Sequence, residues 1–65
     1  MKRKIGNATI SIFDDGSIRL RNYYLGAVIT IDMPLEGDVS LLDAYQIVKI
    51  DDEDKAGIEL FLNGS

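Results

Sequence analysis

The sequence predicts a small all-β domain: an antiparallel meander of about three β-hairpins, six short strands, closing into a barrel or a two-layer sandwich. Three observations carry that expectation. The chain has 65 residues, room for one small domain, 1–65. Its 46% hydrophobic content against 28% charged is too apolar for a disordered tail. One template then recurs at 19-residue spacing, starting at Ile10, Ile29 and Val48: apolar-x-aliphatic, an acidic turn, apolar-x-Leu.

Residues 1–7 come first and are expected as a flexible basic arm carrying Lys2, Arg3 and Lys4. The first hairpin is Ile10-Ser11-Ile12, the turn Asp14-Asp15-Gly16, and Ile18-Arg19-Leu20. Asp bonds its local backbone and Gly supplies a positive φ, so this is sound turn chemistry. The second hairpin is Ile29-Thr30-Ile31, a turn from Asp32 to Asp38 with Pro34 and Gly37, then Val39-Ser40-Leu41. The third is Val48-Lys49-Ile50, a solvated loop from Asp51 to Gly57, then Ile58-Glu59-Leu60. Side chains alternate faces along a strand, so the aliphatic residues of each triplet share one core face. Phe13, Val28, Leu42, Ile47 and Phe61 fall on the reverse face.

A second reading concerns residues 40–49. Ser40 with Asp43 three residues later resembles a capping box, and Leu41, Ala44, Tyr45 and Val48 would form one helical stripe. That gives α+β, with one short helix on a four-stranded sheet. The β-branched run Ile47-Val48 with Ile50 favours strand instead.

Composition excludes much chemistry. With no His and no Cys, the chain has no Ser-His-Asp or Cys-His pair and no zinc-type ligand set. Its six glycines are scattered, so no phosphate-cradling loop forms. The expectation is a non-enzymatic protein without cofactor. Met1-Lys2-Arg3-Lys4 lacks a following apolar segment. The longest uncharged stretch, Asn22 to Ile31, is ten residues, against roughly twenty for a membrane span. A cytoplasmic protein without membrane contact is expected.

Segment 32–43 resembles the calcium loop of EF-hands and dockerin modules: Asp32, Glu36, Gly37, Asp38 and Asp43 stand at loop positions one, five, six, seven and twelve. The resemblance implies a calcium site on Asp32, Glu36, Asp38 and Asp43, with an exit helix after Asp43. Pro34 at position three supplies no ligand, and an acidic hairpin turn accounts for the same residues.

Three function classes follow. A core this small has no disulfide or metal staple, so self-association through Phe13, Val28, Leu42, Ile47 and Phe61 is the first expectation. The run Asp51-Asp52-Glu53-Asp54 supports a second: an acidic mimic that binds a basic, nucleic-acid-binding protein. Residues 22–65 hold nine acidic and two basic side chains, while residues 1–21 hold five basic and two acidic. The third places single-stranded nucleic acid on Arg19, Arg21 and Tyr23, which alternate along one strand with Tyr24 adjacent and Lys2, Arg3 and Lys4 near in sequence.

Overall fold

The computed structural model describes residues 1–34 and 36–64. Four strands, β1 (Lys2–Ile5), β2 (Ala8–Ile12), β3 (Ile18–Tyr24) and β4 (Ala27–Met33), precede two helices, α1 (Leu41–Ile47) and α2 (Asp52–Leu62). The strands pair antiparallel in chain order, β1-β2-β3-β4, as an open sheet. The helices pack on one face of it, and the core forms between the layers. Ala8, Ile10 and Leu20 enter from the sheet, Ala44, Tyr45 and Val48 from α1 and its end, Ile50 from the linker, and Ile58 from α2.

The sheet follows from the alternation and the turns. Gly6 turns β1 into β2 at φ 59. Between β2 and β3, Phe13 N–H donates to Ser17 O and Gly16 N–H to Phe13 O, both at 2.9 Å. The Asp15 carboxylate accepts from Ser17 N–H at 2.9 Å and from its hydroxyl at 2.6 Å, which holds Asp15 below its ordinary carboxylate pKa.

The all-β expectation is overturned after residue 33. The sheet is neither a barrel nor a sandwich, and the second and third hairpins do not form. Residues expected as strands at 39–41, 48–50 and 58–60 lie instead in a loop running into α1, at the end of α1 and its linker, and inside α2. Local capping is the reason. The Ser40 hydroxyl accepts from Asp43 N–H at 3.1 Å and starts α1. The Asp51 carboxylate accepts from Asp54 N–H at 2.8 Å and starts α2. Residues 51–57, expected as a solvated loop, are the N-cap and opening turns of that helix, where three acids face its positive end. The helix expected near 40–49 in the second reading coincides with α1; that reading lacked α2. The turn expected from Asp32 to Asp38 includes position 35, outside the described residues, and β4 extends through Asp32 to Met33.

The basic arm also takes regular form, since Lys2 to Ile5 add the fourth strand. Gly57 lets α2 lie close on it: a Cβ there would meet Ile5 Cγ2 at 2.7 Å. Among the described residues two other than glycine are left-handed, Leu25 in the β3–β4 turn and Lys49 after α1. Asn22 on β3 ties down the second, donating from Nδ2 to Val48 O at 2.7 Å and Lys49 O at 2.9 Å. Among the described residues no helix is long and apolar enough to cross a membrane.

Candidate functional site

The register fixes what the bare face of the sheet displays. Lys2, Ser11, Arg19 and Asp32 form one row across the four strands. Lys4, Thr9, Arg21 and Thr30 form the next, and Tyr23 with Val28 a third. Directly opposed residues share a face, so this surface carries four cations, three hydroxyls, one carboxylate and one phenol. Lys2, Thr9, Ser11, Arg19, Arg21 and Thr30 line a shallow depression of about 240 Å³ at its centre.

One cation is already paired. Arg19 Nε donates to Asp32 Oδ1 at 2.6 Å and Nη2 to Oδ2 at 3.2 Å. That bond holds the Asp32 carboxyl below its ordinary pKa and raises Arg19. The guanidinium also stands 5.4 Å from the centre of the Phe13 ring, within cation–π range. Lys2, Lys4 and Arg21 have no side-chain hydrogen bond or ion pair among the described residues.

The expected nucleic-acid residues are divided by the pleat. Arg19, Arg21 and Tyr23 lie together on the bare face, and Lys2 and Lys4 join them. Arg3 points to the helical side, 4.8 Å from the Phe61 ring. Tyr24 also falls on that side, at the end of β3, and is 42% exposed. Sequence reading placed the three basic residues of the N-terminus only nearby. The signal that finds Lys2 and Lys4 is their own alternation with Arg3, which matches β1 pairing in register with β2.

The other candidate groups are dispersed. Phe13 lies beside Arg19 at one end of the bare face and Val28 opposite Tyr23 at the other. Leu42 and Ile47 are exposed on α1, and Phe61 is half-buried on α2. The five form no single surface. In the acidic run, Asp51 caps α2, Asp52 pairs with Lys55 at 3.3 Å, and Asp54 accepts from Asn7 N–H at 3.4 Å. Of the four calcium candidates, Asp32 is spent on Arg19 and Asp43 sits in the first turn of α1, while Glu36 and Asp38 lie between, both exposed. No group of three or more acidic side chains placed to hold a metal ion occurs among the described residues.

Fold and surface together define a two-layer α+β module whose helices cover one side of a four-stranded sheet and whose other side is cationic. Comparison of the chain with protein-family models, with curated proteins and with solved structures finds no match.

Proposed function

We propose that the protein binds single-stranded nucleic acid across the bare face of its sheet. One observation carries the reading: the register gathers Lys2, Lys4, Arg19 and Arg21 with Tyr23 on the single sheet face the helices leave open. Cations at two-residue spacing along adjacent strands neutralise successive phosphates, hydroxyls donate to phosphate oxygens, and an exposed phenol stacks on an unpaired base. A sheet covered by helices on one side and free on the other is a layout that reads single strands. The acidic balance of the chain does not oppose it, because the acids lie mainly elsewhere. Eight of the eleven follow residue 35, and in the structure those described belong to the helical layer and its approach. The reading is non-enzymatic, requires no cofactor, and carries with it a cytoplasmic location.

Fluorescence anisotropy with a labelled oligonucleotide of about eight nucleotides tests it. With three free cations engaged, log K should fall against log salt with a slope of about −2. Arg21→Ala with Lys4→Ala should abolish most of the binding while far-ultraviolet circular dichroism stays unchanged. Wild-type protein that leaves the oligonucleotide free at about 50 mM salt overturns the proposal.

A further inference from the structure

The β3–β4 hairpin closes on Tyr24-Leu25-Gly26-Ala27, with Leu25 at φ 51 and Gly26 at φ 81. Two successive positive φ values are the geometry for which Asn-Gly or Asp-Gly is the favoured pair. A branched aliphatic residue is poorly suited to that first position. The fold gains nothing visible in return, because Leu25 is 87% exposed. Among the described residues it is the most exposed large hydrophobic side chain, and it stands in the turn that closes β3 on β4. Tyr23 beside it is 56% exposed, Tyr24 42% and Val28 56%. The pleat puts Tyr23 on the bare face and Tyr24 on the opposite one, so the tip presents an aliphatic point flanked by a ring on either side.

The charge beside the tip says what it meets. Arg21 lies four residues from Leu25 along the chain, roughly 13 Å at strand rise, and Lys4 shares its row. An occupant of both surfaces must be polyanionic and must also offer flat apolar faces. A nucleic-acid strand has both, since its phosphates can follow the cationic rows while its bases reach the tip. We infer that this hairpin is a wedge: Leu25 enters between two neighbouring bases of the bound strand, and Tyr23 stacks on one of them. Apolar side chains inserted between bases are an established way for proteins to unstack nucleic acid. The inference rests on the sheet-face reading above and extends it from where the phosphates lie to how the bases are held.

Leu25→Asn separates the wedge from the fold, because it restores the preferred Asn-Gly turn. The variant should melt at the wild-type temperature or above, yet bind a single-stranded oligonucleotide about tenfold more weakly, the loss of a large part of one stacking contact. A 2-aminopurine placed at successive positions should brighten on binding wild-type protein at one or two positions, reporting an unstacked base. That brightening should vanish with Leu25→Asn and with Leu25→Gly. Arg21→Ala should weaken binding but keep the brightening at saturation. If Leu25→Asn binds with wild-type affinity and the same fluorescence, the wedge is wrong and the sheet-face reading stands. If wild-type protein binds no oligonucleotide, both fall. If it instead binds vesicles of phosphatidylcholine with phosphatidylglycerol, and Leu25→Asn removes that binding, the tip is a lipid anchor and the wedge is overturned.

Discussion

Asn22 lies on the covered face of β3, 3% exposed, and donates both its amide hydrogens to the carbonyls of Val48 and Lys49. Those carbonyls belong to the end of α1, where helix geometry leaves acceptors without partners. Asn22→Leu keeps the branched shape but strands the buried Val48 acceptor and unpairs the part-buried Lys49 one, so it should cost about 2–4 kcal/mol. Urea denaturation reads this directly, and a loss below about 1 kcal/mol would mean that water replaces the amide. Tyr45 presents the opposite case. It is 1% exposed and its hydroxyl has no partner among the described residues. Burial, aided by the charge of Glu59, raises the phenol above its ordinary pKa. Tyr45→Phe should therefore leave stability unchanged or raise it by about 1 kcal/mol, seen as a higher midpoint with the same denaturant slope. Neither role is written in local sequence. Asn22 reads there only as a polar residue on the aliphatic face of a strand, because its partners come from a segment 26 residues away.

At the level of elements, the first hairpin and the strand at Ile29 to Ile31 were legible, whereas β1, the pairing of β4 with β3, and α2 were not. Ile10 to Ile12, Ile18 to Leu20 and Ile29 to Ile31 fall in strands because Asp15, Gly16 and Ser17 build the turn that pairs the first two. Val48-Lys49-Ile50 and Ile58-Glu59-Leu60 show the same alternation, but three residues do not distinguish a period of two from one turn of helix. The deciding residues were the acids. Asp51, Asp52, Glu53 and Asp54 combine an N-cap with first-turn charges, a helix-start signal that also passes for a solvated loop. Asp51→Ala should accordingly cost about 1 kcal/mol in thermal or urea unfolding, whereas a merely solvated loop residue would cost close to nothing. Gly57 tests the contact that α2 makes with β1. Alanine there gains about 1 kcal/mol of helix propensity but drives a methyl against Ile5 Cγ2 at 2.7 Å. Because overpacking costs about 1–3 kcal/mol, Gly57→Ala should be net destabilising. Adding Ile5→Leu, which moves the branch away from Cβ, should return part of the loss.

Across the whole molecule, charge divides by layer as well as by position along the chain. The sequence disclosed that the first 21 residues are basic and the rest acidic. It did not disclose that β1 pairs beside β2 and so brings Lys2 and Lys4 into the rows of Arg19 and Arg21. The acidic helices back this surface across a molecule whose shortest extent is 17 Å, about twice the Debye length at physiological salt. Their repulsion of a polyanion is therefore weak there and grows as salt is removed. Asp32 is different, since it sits on the cationic face and occupies Arg19. Asp32→Asn should free that guanidinium, tighten oligonucleotide binding several-fold, and steepen the salt slope from about −2 toward about −3 as a fourth cation engages. Titration supplies an independent control. Because its partner depresses the folded pKa of Asp32, the stability from this ion pair is present above the ordinary carboxylate value of 3.8. It is lost as pH falls through the lower folded value. The stability difference between wild type and Asp32→Asn should thus be constant near neutrality and shrink only below about pH 4. An affinity gain at neutral pH with that acid-side convergence identifies Asp32 as a brake on the basic face. An unchanged salt slope in Asp32→Asn would show that Arg19 stays engaged with Phe13 and never reaches the strand.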